Sequence, residues 1–326
     1  MIMAQNSGNR SFYREYFKEV DSLHSLQVPP QEREWLLKLP DVEAKPARVV
    51  LYLGCNVMRT SHLVRTVVDI FKLLNVDFVA VGGPSYCCGI QHFQMGDEKA
   101  GLAMAQTTVD GFMKFQPERV VMWCPSCIYF YDEIMQMQDK FKFQHVTEFL
   151  VENLDRLDFQ PQPSAKVSLH YHTGRQQSDE EARCAFKLLE SLPGIQPVDL
   201  GTDTRLGRHC TAAVREKMGT QEWDDMVTGS IQKAADSGVD IYSTLYHGCQ
   251  RALCGYEQDY PLKVEHYLTA VGRALGIEHQ DLYKKYLLLG DVDAIIEETS
   301  PCATASGLSP EDARAIIQKT FVTSAD

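Results

Sequence analysis

Two hydrophobic periods alternate along this chain. Short apolar runs rich in strand formers occur at Val49-Val50-Leu51-Tyr52-Leu53, at Val76-Asp77-Phe78-Val79-Ala80-Val81 and at Val120-Val121-Met122-Trp123. They predict strands over 48–53, 76–81 and 119–123. Between them, apolar residues recur at helical spacing. Leu63, Val67, Ile70, Phe71 and Leu74 mark a helix over 60–74, Leu102, Met104, Val109, Phe112 and Met113 mark one over 97–115, and a further helix begins near Ile128. Strands alternating with helices imply a parallel sheet with right-handed crossovers. Ahead of this pattern, Phe12, Tyr13, Tyr16, Phe17, Val20 and Leu23 predict a helix over 9–28, closed by Pro29-Pro30. A second short helix is expected from Gln31 to Leu39 with Trp35, Leu36 and Leu37 inward, then a linker from Pro40 to Pro46. This front section fits either a helix packed on its own domain or a docking arm for a partner subunit.

The plan then repeats. Ala165-Lys166-Val167-Ser168-Leu169-His170 echoes the stretch from Ala47 to Tyr52, Ala185 to Leu189 echoes Ile70 to Leu74, and Val239 to Tyr242 leads to Cys249 as Val120 to Trp123 leads to Cys124. Similar offsets between the halves indicate a weak internal duplication. Gln160 to Ser164 is the expected boundary. The expected fold is therefore α/β: two tandem domains related by a pseudo-two-fold, each a parallel sheet flanked by helices, after an N-terminal helical extension. The extension covers residues 1–46, the first domain 47–160, and the second domain with a C-terminal tail 161–326.

A chain of 326 residues is long enough for two ordinary domains, and its 44% hydrophobic content is that of a globular protein. A net charge of −12 with no basic stripe disfavours nucleic-acid binding. The first residues lack the basic flank and apolar core of a signal peptide, and no run of about 18 apolar residues predicts a membrane span. Ten cysteines in such a chain point to a reducing cytoplasm and to metal binding rather than disulfides.

Five of those cysteines follow the strand-like runs, in the pattern C-x₃₁-CCG-x₃₄-CPSC: Cys55, Cys87, Cys88, Cys124 and Cys127. Ligand sites in open α/β sheets gather at the carboxyl ends of strands, so three such loops would bring five sulfurs together. Thiolates suit zinc, copper(I) or iron–sulfur centres. Five overfill one tetrahedral ion but can serve several irons. Merely structural cysteines have no reason to collect at strand ends.

This pattern resembles the cysteine-rich "CCG" domain of the heterodisulfide reductase family, with relatives in the iron–sulfur subunits of glycolate and lactate oxidation. The resemblance covers roughly residues 47 to 290. It implies that Cys55, Cys87, Cys88, Cys124 and Cys127 hold a non-cubane [4Fe–4S] cluster, and that a second such domain follows in tandem.

The second half departs from the family pattern. It reads His170-Tyr171-His172-Thr173 after its first strand, with Thr173 or His172 opposite Cys55. His209-Cys210-Thr211 stands in place of CCG, and Cys249-Gln250-Arg251-Ala252-Leu253-Cys254 in place of CxxC. Three readings stay open. Cys210, Cys249 and Cys254 with a histidine (His209, His172 or His247) could bind zinc or a smaller iron–sulfur cluster. The same thiols could instead be catalytic, exchanging with a substrate disulfide, with His209 or His247 lowering a thiol pKa. Or the site has decayed into packed cysteines. Cys184, inside a helical run, reads as core, and Cys302 as a lone cysteine in the tail. Val81-Gly82-Gly83-Pro84 matches no phosphate-binding loop, and neither a nucleophile triad motif nor a C-x₂-C-x₂-C-x₃-C-P run is present.

The resemblance implies an oxidoreductase subunit acting on sulfur groups. Its partners would be a ferredoxin-like iron–sulfur subunit, a flavoprotein, and a sulfur-containing substrate or carrier. The alternative is an electron-relay subunit of a flavin-dependent oxidoreductase, without its own substrate site.

Overall fold

A computed structural model describes residues 2–38, 44–137, 139–140 and 142–322. Two four-stranded sheets form the frame. The first contains β1 (Val49–Gly54), β2 (Phe78–Gly82), β3 (Arg119–Met122) and β4 (Lys142–His145), in the order β2-β1-β3-β4, with β1 parallel to β2 and β3. The second contains β5 (Ala165–His170), β6 (Ile195–Val198), β7 (Ile241–Thr244) and β8 (Lys263–His266), in the equivalent order β6-β5-β7-β8, with parallel pairing throughout. The α/β character and the tandem sheets expected from the alternating periods are thus present. The repeat extends to a small device. His145 at the end of β4 and His266 at the end of β8 each accept a hydrogen bond at Nδ1 from the backbone two residues on, Thr147 N and Leu268 N at 3.2 Å, and so cap the helix that follows.

Every residue of β1 is buried, as expected of a parallel strand covered on both faces. On one face Tyr52 packs edge-on against Phe112 at 4.9 Å and against Tyr131 at 6.3 Å, and its hydroxyl donates to the Tyr86 carbonyl at 2.7 Å. Phe112 comes from the helix Glu98–Met113, which starts where the Asp97 side chain accepts from Ala100 N.

The chain clusters into two compact units. One comprises residues 1–64, 76–144 and 281–326, the other residues 65–75 and 145–280. Residues 145–160, expected in the first domain, cluster with the second unit, and the tail after 280, expected in the second domain, clusters with the first. For 145–160 the reason is apolar: Phe149 stacks on Phe71 at 4.6 Å within the second unit. The tail forms three helices, Leu282–Leu289, Val292–Ala305 and Pro310–Phe321, and returns to the N-terminal helix Ile2–Gln27. Lys18 pairs with Asp312 at 2.7 Å and Lys319 with Glu19 at 2.6 Å, but both lysines are largely exposed. Such pairs contribute about 0–1 kcal/mol each, against about 1.5–3 kcal/mol for burying a side chain such as Ile317 or Phe321. Both of those are buried, and Phe321 touches the rings of Tyr283 and Tyr286. Apolar contact therefore holds the tail in place.

The front section also differs from its reading. The helix expected over 31–39 is only a 3₁₀ turn, Pro30–Glu32, although Trp35 is buried as foreseen. Most of the expected linker over 40–46, and the last residue of that expected helix, lie outside the described residues. The helix Ile2–Gln27 packs on its own unit, burying Tyr13, Val20, Leu23 and Leu26. At its end His24 Nε2 accepts from the Trp35 indole at 3.2 Å, while Nδ1 lies 3.0 Å from both Met58 O and Ser61 Oγ. An indole only donates, so Nε2 carries the lone pair and Nδ1 the hydrogen.

Burial, reinforced by the Arg33 charge and opposed by the Met58 bond, pushes the His24 pKa from 6.5 down to about 3. The unfolded chain therefore takes up this proton first, and stability is lost as the pH falls from about 6.5 toward 3. Replacing His24 with Gln is expected to flatten the pH dependence of the urea-unfolding free energy between pH 6 and 4 by up to about 1.4 kcal/mol per pH unit. An unchanged slope would show that His24 does not titrate in this window.

Candidate metal centres

The first unit gathers its thiols at the carboxyl ends of three adjacent strands. Cys55 follows β1 and precedes the 3₁₀ turn Asn56–Arg59. Cys87 and Cys88 follow β2 after the turn Pro84–Tyr86. Cys124 and Cys127 follow β3, the first at the N-cap and the second inside the short helix Pro125–Tyr129. Cys55 Sγ lies 3.7 Å from Cys87 Sγ, and Cys88 Sγ lies 3.3 Å from Cys127 Sγ. Cys124 is partly exposed; the other four are buried.

Two glycines with left-handed backbone flank these thiols. Gly89 has φ +82°, and a Cβ there would stand 2.2 Å from the Gly101 carbonyl oxygen, so the chain after the cysteine pair fits only without a side chain. Gly54 has φ +75°, and a Cβ there would point to within 3.8 Å of Cys127 Sγ.

The sulfurs do not ionise independently. Contacts with Cys127 and Cys87 pull Cys88 down to about 6, and contact with Cys127 lowers Cys124. Cys55, in contact with Cys87 and buried, is pushed well above the usual thiol range, as is Cys127 beside Cys124 and Cys88. Such a set resists carrying five negative charges alone. A cationic metal core reverses that, because a coordinating thiol is deprotonated outright. The soft donor set and its burial therefore fit a multi-iron centre. Donors already face it: Gly89 N lies 3.5 Å from Cys87 Sγ and the Tyr16 hydroxyl 3.7 Å from Cys55 Sγ. Arg59, paired with Glu19, sits 5.4 Å from the Tyr16 ring centre. Tyr16 and Arg59 were not identified from sequence as site residues. The apolar period of the first helix signals burial of Tyr16 but not what it is buried against.

The second unit uses the same frame with different side chains. The helix Ala212–Met218 is capped by Thr211 where the helix Ile90–Gln94 is capped by Gly89, so His209 and Cys210 stand where Cys87 and Cys88 do. The helix His247–Leu253 is capped by Tyr246 where Pro125–Tyr129 is capped by Cys124. This corrects the sequence alignment: Cys249 is the counterpart of Cys127, not of Cys124, and Tyr246 replaces Cys124. The strand register puts His170 where Tyr52 stands, His172 at Gly54 and Thr173 at Cys55.

Cys210 and Cys249 do converge, but Cys254 does not join them. It begins a 3₁₀ turn, with its Sγ 3.9 Å from Arg251 O in its own segment. The histidine choice is corrected too. The group that forms is His170, His172, Cys210 and Cys249, all buried, with ligand atoms within 4.8 Å of one another. His209 lies outside it, held neutral chiefly by burial with a pKa lowered to about 4, and His247 likewise at about 3. A usable signal existed. In an extended chain residues two apart share a face, so His170-x-His172 at a strand end presents two imidazoles to one point. Of the other cysteines, Cys184 is buried in the helix Gln176–Glu190 and Cys302 is partly exposed in Val292–Ala305.

Burial opposes ionisation of Cys249, but its contacts with Cys210, His172 and His170 outweigh this and hold it well below the usual thiol range. Cys210, beside Cys249 and buried, is pushed up.

Comparison with known proteins finds a match over the segment that carries the five thiols. Residues 49–131 match a family described as "CCG: Cysteine-rich domain". A curated relative from Chromohalobacter salexigens, named "Probable membrane-anchored ferredoxin", is 25% identical over 219 residues, covering 62% of this chain and 32% of that protein. The chain thus spans about a third of that relative's length. No helix among the described residues is long and apolar enough to cross a membrane. Among solved structures, an aspartate racemase homologue from Pyrococcus horikoshii OT3 aligns over 70% of this chain and 97% of its own, with 12% identity and a TM-score of 0.31.

Substituting Gly89 with Ala is expected to destabilise the protein by at least about 1–2 kcal/mol from the left-handed backbone alone, and to lower its iron content, read by urea unfolding and iron analysis. Wild-type values for both would show that the loop can shift away from Gly101.

Proposed function

We propose that the chain is an iron–sulfur redox subunit of the heterodisulfide-reductase type, acting on sulfur–sulfur bonds with electrons exchanged through partner proteins. The observation that carries this reading is the placement of five thiols on three strand-end loops of one sheet. In this reading Cys55, Cys87, Cys88, Cys124 and Cys127 hold a non-cubane [4Fe–4S] cluster. When bound, such a centre supplies one-electron steps and a soft metal face for sulfur. Reducing one disulfide to two thiols takes two electrons and two protons. The electrons would come from a ferredoxin-like subunit and a flavoprotein.

The chain's own side chains set the conditions. Against a metal-bound Cys55 thiolate the Tyr16 hydroxyl can only donate, and Gly89 N donates to Cys87. Hydrogen bonds to ligand sulfurs raise the reduction potential of such centres. Arg59, 6% exposed, adds a positive charge beside them. The partial exposure of Cys124 marks the side on which a sulfur substrate could approach.

A second reading is supported by the similarity to a relative named as a ferredoxin. In it the same site relays electrons and binds no substrate.

Anaerobically purified protein is expected to contain several irons and acid-labile sulfide. Cys88→Ser should lose most of the iron, whereas Cys184→Ser should keep it. Tyr16→Phe should keep the iron and shift the reduction potential to more negative values. Zinc without sulfide in the wild-type chain would refute the cluster. A spectral change on adding a disulfide to the reduced protein separates the two readings, since a pure relay shows none.

A further inference from the structure

We infer that His170, His172, Cys210 and Cys249 form a closed, single-ion zinc site that stabilises the second unit and takes no part in sulfur chemistry. Zinc bound at about 2.3 Å from sulfur and 2.0–2.1 Å from nitrogen fixes the edges of its ligand tetrahedron at roughly 3.3–3.8 Å. The distances here bracket those edges: His172 Nε2 to Cys249 Sγ 3.2 Å, His170 Nε2 to Cys210 Sγ 3.3 Å, and His172 Nε2 to Cys210 Sγ 4.0 Å.

Both imidazoles are already oriented for this. His172 Nδ1 donates to the Gly207 carbonyl at 2.9 Å, which leaves the Nε2 lone pair aimed at the sulfurs. His170 Nδ1 lies 3.0 Å from the Tyr242 hydroxyl, which in turn lies 2.6 Å from Ser230 Oγ. Outer bonds of this kind fix the tautomer and ring angle of metal-binding histidines.

Charge argues the same way. Two thiolates, two neutral imidazoles and a divalent cation sum to zero, so the set can be buried. All four residues are at most 3% exposed. Tetrahedral S₂N₂ geometry selects zinc or an iron–sulfur centre. A two-iron centre with mixed ligands puts the cysteines on one iron and the histidines on the other, which separates the two kinds. Here each imidazole lies against a thiol, and all four ligand atoms lie within 4.8 Å of one another. Four protein ligands leave no open position, as in structural rather than catalytic zinc sites. Tyr246, where the first unit has Cys124, stacks on His172 at 5.7 Å and closes that side.

The test uses the full chain, purified anaerobically and loaded as it comes from the cell. The expected result is about one zinc per chain, with a zinc K-edge absorption spectrum showing two sulfur and two nitrogen neighbours. Cys249→Ala should lose the zinc and keep the iron and sulfide, while Cys88→Ser should do the reverse. Tyr242→Phe, a mild change at a positioning residue, should weaken zinc retention against a chelator by about 10–100-fold without altering the sulfur and nitrogen count at the zinc edge. The wild-type spectrum decides the matter even where a variant fails to fold. A sulfur-only zinc shell, a zinc-free chain, or a paramagnetic two-iron signal abolished by Cys249→Ala would overturn the inference. Absence of iron and sulfide with this zinc retained would refute the cluster proposed for the first unit and leave the zinc site standing.

Discussion

Parallel strands deliver all their carboxyl ends to the same edge of a sheet, and each site in this protein depends on that constraint. A side chain reaches the shared point most directly when it lies within a few residues of where its strand stops. Cys55, Cys87, Cys88, Cys124 and Cys127 all lie so in the first unit, as do His170, His172 and Cys249 in the second, while Cys210 arrives over the longer loop between β6 and the helix Ala212–Met218. The remaining cysteines do not. Cys184 and Cys302 lie within helices, and Cys254 lies beyond the helix that carries Cys249. The glycines follow from the same crowding: loops that bring sulfurs to 3.3–3.7 Å leave no room for a Cβ at Gly89.

One frame thus carries two different sets of candidate ligands. In the second unit three thiol positions are filled by Thr173, His209 and Tyr246. Two imidazoles rise instead from β5 and the residues just after it, where the first unit has Tyr52 and Gly54. Each thiol lost removes a potential negative charge from the interior. A neutral imidazole supplies a ligand atom without one, so the second set matches a smaller total positive charge than the first. The strands and helix caps coincide in the two units, although the loop from β6 to Cys210 is longer than that from β2 to Cys88.

The strands, the gathering of five thiols at one sheet edge and the helices around them are legible from the chain because each rests on local period and on cysteine spacing. What escaped depended on contacts between distant segments. The tail after residue 280 has clear helices, but its return to Ile2–Gln27 is fixed by Ile317 and Phe321, whose burial partners no local pattern names. Tyr16 read as one apolar-face residue among several, and its hydroxyl beside Cys55 depends on how that helix docks. Spacing alone pairs Cys249 with Cys124 because it ignores where the helix begins. Its cap at Tyr246 sets the phase.

The first unit is closed by the helices Ile2–Gln27 and Pro310–Phe321. Tyr16 and Glu19 come from the first helix, and Glu19 pairs both with Arg59 beside the thiols and with Lys319 in the last helix. On the ribosome the five cysteines emerge long before residues 310–321 exist. The wall around Cys55 can therefore settle into its final packing only once residues 310–321 have been made. Contacts this distant in sequence form late in folding. Translation itself thus holds the sulfurs accessible for a period, and whatever delivers metal to them meets an open site during that interval rather than the buried one of the finished protein.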